Sequence, residues 1–350
     1  MRLRTLLWSP AVDAAAGGLH WVDDEQLDGF VATRLPAGPP APGRPLASAA
    51  AGRTDPVLTV VRRAPAGRLR RGRPPRGVVV HLHGYNDYFF AEHLAAAVED
   101  AGWAFLAVDV RRAGRSWRPE EVPHYLDDVR EQADDLGAAV AVARGLHPAV
   151  PVAVHAHSMG GLVAALWAHA HRVHGGPDAL VLNSPFLALG RSWVPRVTDR
   201  VLRVLARTAP LTVVSSGPSV YASHLLAANG GRWEFDTTLK RPDGVPVRAG
   251  WLAAVLSAQA RVSRGLEIGC PVLVGHAAMS GPDRADNPAL DEQDTVLDVR
   301  AISRRAPGLG RDVTVRSFPG AVHDLALSAE APRAAYLAAM TRFLDERARR

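Results

Sequence analysis

From Val78 to Leu182 the chain alternates short apolar runs with helix-length stretches, and this rhythm restricts the fold more than any other feature. Val78–Leu82 is β-branched with no polar residue before its histidines, as expected of a strand covered on both faces. Extended runs follow at Ala104–Val108, Val152–His155 and Ala179–Leu182, and helical patterns lie between them at Phe89–Asp100, Tyr125–Arg144 and Met159–His171. Strand, helix, strand in series predicts a mostly parallel, doubly wound α/β sheet with crossover helices on both faces. The rhythm stops at Phe186. Residues 186–265 carry helical pieces at Val197–Arg207 and Trp251–Arg264, weak strand signals and interrupting prolines at 195, 210, 218, 242 and 246, with Pro185 just before them. Sheet signals resume at Pro271–Val274 and Val313–Ser317, and an amphipathic helix closes the chain at Ala331–Arg347. A length of 350 residues suits one large α/β domain with an insertion. The expected organisation is a core of residues 1–185 and 266–350, irregular and rich in Pro, Gly and Arg over 35–77, with a helical insertion at 186–265.

Composition narrows the function classes. A chain 47% hydrophobic and 22% charged is an ordinary globular one, which excludes collagen-like, coiled-coil and wholly disordered readings. Cys270 is the only cysteine, so an internal disulfide is excluded and a reducing, cytoplasmic setting is expected. The basic N-terminus has an apolar stretch interrupted by Pro10 and Asp13, too short for a signal-peptide core, and no later run is long enough for a transmembrane helix. The formal net charge of +6 comes almost wholly from arginine, because Lys240 is the only lysine. The densest basic run is Arg62, Arg63, Arg68, Arg70, Arg71, Arg73 and Arg76. Glycine and proline break it and no aromatic platform interleaves it, so it reads as a solvated loop and no nucleic-acid partner is expected. Leu35–Gly52, rich in Pro, Gly and Ala, reads as a surface excursion between two short strands.

The strongest chemical signal is Val152-Ala153-Val154-His155-Ala156-His157-Ser158-Met159-Gly160-Gly161. A strand that enters a helix through a tight turn, with serine at the apex and small residues beside it, has the form of a nucleophile elbow. Ala156 stands where that pattern usually has glycine. A nucleophilic serine needs a base, a group to orient the base and donors for the oxyanion. His323 lies just after the last expected strand and before the closing helix, which makes it the candidate base. The acid is expected after Pro271–Val274. Asp283, Asp286, Asp291, Asp294 and Asp298 all follow, and Asp294, just before an apolar helix start, is chosen with Asp298 and Asp283 as runners-up. The oxyanion donors are expected to be the backbone N–H groups of Met159 and of Tyr85, in the turn after the first long strand. His81-x-His83 and His155-x-His157 suggest a metal site, but a binuclear H-x-H-x-D-H motif needs aspartate where Tyr85 stands, so neither metal nor cofactor is expected.

These residues resemble the α/β-hydrolase superfamily, in its monoacylglycerol lipase, lysophospholipase and serine-aminopeptidase-like branch. The likeness rests on His83-Gly84-Tyr85, on the loop Asp109-Val110-Arg111-Arg112-Ala113-Gly114-Arg115-Ser116, on His157-Ser158-Met159-Gly160-Gly161 and on Val322-His323-Asp324, and it spans residues 78–345. Arg112 replaces the usual glycine of the second loop, and the segment holding the acid is longer than the family's short form. The resemblance implies a serine hydrolase that cleaves carboxylic esters with hydrophobic acyl groups through an acyl-enzyme. It also implies that residues 186–265 form a cap, whose Phe186, Trp193, Trp233, Phe235 and Trp251 are candidates to line an acyl pocket. The expected partner is a small ester or lipid-like substrate. Peptidase or thioesterase activity on the same residues is an alternative, as is a ligand-binding protein without turnover, and the oligomeric state stays open.

Overall fold

The computed structural model describes residues 18–38, 55–65, 74–189, 199–215 and 219–348. Expectations for the first seventeen residues, for residues 39–52 of the Pro/Gly/Ala-rich stretch, for Arg68, Arg70, Arg71 and Arg73, and for Trp193 fall outside them.

The N-terminal part is an antiparallel edge made of β1 (Val22–Asp23), β2 (Phe30–Pro36) and β3 (Val57–Arg63). Strands β4 (Val78–Leu82), β5 (Ala104–Asp109), β6 (Val152–His157), β7 (Ala179–Asn183), β10 (Val272–Ala277) and β11 (Val313–Phe318) continue it as a parallel sheet. The nine-stranded order is β1-β2-β3-β5-β4-β6-β7-β10-β11, with every pairing from β5 to β11 parallel. This is the mostly parallel α/β-hydrolase architecture.

All residues of β4, β5, β6 and β7 are buried, because helices cover both faces of these strands. Alternate residues serve opposite layers. Val80, Leu106, Val154 and Leu182 share one apolar core with helices α2 (Arg130–Leu146) and α3 (Ser158–Ala170). Val79, Phe105, Ala153 and Val181 share another with α1 (Glu92–Asp100) and α8 (Glu330–Arg347). A one-residue slip would exchange the two sets. Both sets would stay buried, so the register is fixed by fit: side chains placed in the wrong layer overpack it, at about 1–3 kcal/mol each.

Several boundaries differ from the sequence expectation for identifiable reasons. The first helix starts at Glu92 because the Phe89 N–H is held by the Asp109 carboxylate at 2.9 Å, outside any helical ladder. The second starts at Arg130, whose N–H binds the Asp128 side chain at 2.9 Å, while Tyr125 and Leu126 are buried in the preceding loop. Arg62 and Arg63 belong to β3, not to a solvated loop. Arg63 pairs with Glu99 at 2.7 Å and Arg62 lies over Trp21, so strand pairing, a carboxylate for Arg63 and an aromatic face for Arg62 hold these two cations.

The segment between β7 and β10 contains α4 (Asp199–Thr208), β8 (Val213–Ser215), α5 (Val220–Leu225), β9 (Val247–Arg248) and α6 (Ala249–Val262). The antiparallel β8–β9 pair is a small second sheet that weak local strand signals did not announce. The last crossover helix, α7 (Val299–Arg305), joins β10 to β11.

Candidate active site

Ser158 sits where β6 turns into α3, with φ at +52°, a left-handed conformation unusual for a residue with a side chain. The neighbours explain the small residues around it. A Cβ on Gly160 would lie 2.3 Å from the His83 carbonyl oxygen, and one on Gly161 would lie 2.7 Å from the Pro185 side chain. Ala156 is in register with Leu82 and Leu182, and its methyl is fully buried in their core, so the departure from glycine is absorbed there.

His323 follows β11, and its Nε2 lies 2.9 Å from Ser158 Oγ. Its Nδ1 lies 2.9 Å from Asp294 Oδ2. With the proton on Nδ1 donated to Asp294, Nε2 presents its lone pair to the serine hydroxyl. All three side chains are buried, Asp294 completely. Asp294 divides its work: Oδ1 accepts the N–H groups of Val296 at 2.9 Å and Leu297 at 2.7 Å, leaving Oδ2 for the imidazole. The runners-up have other duties. Asp298 caps α7 by accepting the Arg300 N–H, and Asp283 accepts the N–H groups of Val220 and Tyr221 at the start of α5.

Tyr85 and Met159 flank the serine on the same cavity. Among the described residues the Tyr85 N–H has no acceptor, and the Met159 N–H belongs to the first turn of α3, where no intrahelical acceptor exists. The cavity, of about 690 Å³, is lined by polar residues around Asp87, His157 and Lys240 and by apolar ones including Phe186, Val247, Trp251 and Leu297. Trp233 and Phe235 are elsewhere. Trp233 stacks on His93 and donates to the Leu327 carbonyl, and Phe235 packs on Phe90, so both pack the stretch between β7 and β10 against residues near the start of α1 and before α8.

The family model described as serine aminopeptidase, S33, matches residues 73–330. The chain belongs to this family of α/β-hydrolases. The monoacylglycerol lipase of Mycolicibacterium smegmatis is 33% identical over 159 residues, 43% of this chain and 55% of that protein, so the match spans about half the length of that relative. A soluble variant of monoglyceride lipase from Saccharomyces cerevisiae, solved with a substrate analogue, superposes with a TM-score of 0.62 at 16% identity over 94% of each chain. The monoacylglycerol lipase of Paleococcus ferrophilus gives 0.58 at 20% identity, over 79% of this chain and 96% of that one. The two solved structures share the fold.

Four groups in this α/β-hydrolase were not singled out in the sequence as part of the site. The Tyr221 ring meets the His323 ring edge-on at 5.6 Å, and its hydroxyl accepts the Asp324 N–H at 2.8 Å. Asn183 donates to Asp324 at 2.7 Å and so steadies the loop of His323. Asp87 and Lys240 form a buried ion pair at 2.7 Å on the cavity wall. Burial alone would push the Asp87 carboxyl up; the Lys240 ammonium overrides it and holds the acid well below the usual carboxylate range.

The paired histidines are committed to protein partners. His83 and His157 bond the carbonyl oxygens of Gly84 at 2.7 Å and Asn183 at 3.2 Å. Strand register sets His81 beside His155, Nδ1 to Nδ1 at 2.7 Å, and His155 Nε2 meets the Tyr336 hydroxyl at 2.7 Å. Burial pushes the His155 imidazole down to about 4 and His81 well below its ordinary value. Asp87, His157 and Asp324 bring ligand-type atoms within 4.8 Å of one another, and the Lys240 ammonium already supplies the cation against Asp87. Among the described residues no helix is long and apolar enough to cross a membrane.

Proposed function

We propose that the chain is a serine hydrolase of carboxylic esters with a hydrophobic acyl group, similar in substrate class to the monoacylglycerol lipases it resembles. The observation that carries this reading is the hydrogen-bonded line from Ser158 through His323 to Asp294, beside a cavity with an apolar side. In the first half-reaction His323 Nε2 takes the hydroxyl proton as Ser158 Oγ attacks the ester carbonyl. Asp294 Oδ2 holds Nδ1–H and stabilises the imidazolium, and the N–H groups of Met159 and Tyr85 hold the oxyanion. The tetrahedral intermediate collapses to a Ser158 acyl ester as His323 gives its proton to the departing alcohol. Water then enters, loses a proton to His323 and releases the acid, restoring the serine. Residues 186–265 act as a cap, with Phe186, Val247 and Trp251 beside the acyl chain.

The same side chains are equipped for peptide or thioester acyl transfer, and the family description names an aminopeptidase. Recognition of a free amino terminus needs an uncompensated carboxylate near the serine; Asp87 on the cavity wall is neutralised by Lys240, and Asp283, which also lines the cavity, is engaged by the N–H groups of Val220 and Tyr221. Ester hydrolysis is therefore favoured. The test is a panel of p-nitrophenyl esters from acetyl to palmitoyl, run beside aminoacyl p-nitroanilides and acyl thioesters. Turnover of the longer esters, abolished in Ser158→Ala with unchanged circular dichroism, supports the reading. Near-wild-type activity in Ser158→Ala, or turnover of the anilides alone, overturns it.

A further inference from the structure

The turn after β4 is tied to one stretch of the inserted segment by every residue from Tyr85 to Tyr88. The Tyr85 hydroxyl donates to the Pro246 carbonyl at 3.3 Å. Asn86 exchanges two hydrogen bonds with the Arg241 backbone, its amide donating to the carbonyl at 2.9 Å and accepting the N–H at 2.9 Å. Asp87 pairs with Lys240, and the Tyr88 hydroxyl accepts the Asp236 N–H at 2.8 Å. Asn86 is held at φ +53°, a conformation that such ties keep populated.

At the centre of these contacts is the chain's single lysine. Lys240 is buried, with its ammonium 5.5 Å from the Phe90 ring and 5.8 Å from the Phe235 ring. Asp87 in turn reaches back to the turn itself, Oδ2 accepting the Gly84 N–H at 3.4 Å. Gly84 immediately precedes Tyr85, whose N–H is the expected oxyanion donor, and Cβ on Gly84 would come within 3.1 Å of the Ser158 Cβ. Ion pair, turn and nucleophile are thus in continuous contact. A carboxylate left unpaired here would stand beside the place where negative charge develops during acyl transfer, and would draw the turn toward any other donor.

We propose that Lys240, acting through Asp87, is a positioning residue for the oxyanion turn, so that the inserted segment completes the catalytic site as well as covering it. The inference rests on the reading of Ser158 as nucleophile given under Proposed function. It assigns to an ion pair spanning 153 positions of sequence the task of fixing the Gly84-Tyr85 backbone. A displaced donor affects the transition state and leaves ground-state binding nearly unchanged, so the signature is in kcat.

The test is a double-mutant cycle of Lys240→Met and Asp87→Asn, with kcat and KM measured on a p-nitrophenyl ester and folding followed by circular dichroism and urea denaturation. Lys240→Met is expected to lower kcat about 100-fold, with KM within about threefold of wild type. In the Asp87→Asn background the same substitution is expected to cost less than about tenfold, because Lys240 acts through the carboxylate. Should Lys240→Met fail to fold, Asn86→Gly keeps the positive φ, buries no charge and removes the bonds to Arg241. It is expected to lower kcat about tenfold at unchanged KM. A kcat within about threefold of wild type in each folded single variant overturns the proposal, as does an equal loss from Lys240→Met in both backgrounds or a change confined to KM. Rapid labelling of Ser158 by a fluorophosphonate in the wild type, alongside any of those results, means that the positioning role fails while the serine reading stands. No labelling in the wild type removes both.

Discussion

Gly160→Ala probes how closely the serine turn is fitted to the rest of the site. The added Cβ would sit 2.3 Å from the His83 carbonyl oxygen and 2.9 Å from both the Leu82 carbonyl and its side chain. Real Cβ contacts essentially never fall below 3.0 Å, so an opening of about 0.7 Å (3.0 less 2.3) is the minimum, and the atoms that must yield are mostly backbone. Either the start of α3 or the end of β4 moves, which changes the relation of Ser158 to the Tyr85 N–H. Overpacking of this kind costs about 1–3 kcal/mol of stability, and misplacement approaching 1 Å at a catalytic centre costs about 100-fold in rate. The expected result is a folded enzyme with a lower urea midpoint and a kcat reduced about 100-fold. Gly308→Ala is the control, since nothing lies within 4 Å of its added Cβ, and its stability should stay within about 0.5 kcal/mol of wild type. Assay of both by ester hydrolysis and equilibrium denaturation decides the matter. Near-wild-type kcat in Gly160→Ala would refute the close contact between the serine turn and the β4 carbonyls.

The remaining predictions concern the acid and the core histidines. Asp294→Asn is expected to lower kcat by about three to four orders of magnitude by misdirecting the His323 tautomer. Asp283→Asn and Asp298→Asn keep their acceptor oxygens and should stay within about threefold; a large loss in either with none in Asp294→Asn would reassign the acid. His81 and His155 are held neutral in the folded core, whereas the unfolded chain protonates histidine near pH 6.5. The unfolded state therefore binds more protons as pH falls from about 6.5 toward 4. Stability should be level above pH 7 and decline through that window, with each histidine contributing up to about 1.4 kcal/mol per pH unit. Urea midpoints that do not change between pH 7 and 4.5 would contradict this.

The sheet was legible because its central strands are buried on both faces and their apolar runs are uninterrupted. The serine turn was legible because crowding there admits only small residues, which is a local constraint. His323 was picked out by its position after the last expected strand and Asp294 by standing just before an apolar helix start, whereas what sets Asp294 apart from the other four aspartates is its 2.9 Å contact with the His323 ring across 29 positions. Sequence holds no direct trace of that. Tyr221, Asn183, Asp87 and Lys240 went unrecognised because their partners lie 103, 141 and 153 positions away. Lys240 did leave one signal, as the only lysine among many arginines. A compact ammonium meets a single carboxylate oxygen beside a pair of packed aromatic rings, where a planar guanidinium fits less well. The inward histidines suggested ligands when read strand by strand, and only the pairing of β4 with β6 makes His81 and His155 partners of each other.

The most direct measurement for the account is peptide mapping after reaction with a fluorophosphonate, in the wild type and in His323→Ala. A single adduct on Ser158 is expected in the wild type, formed at least about 100-fold more slowly when the imidazole 2.9 Å away is removed. An adduct on another residue, no adduct, or equal labelling rates in the two proteins would contradict it.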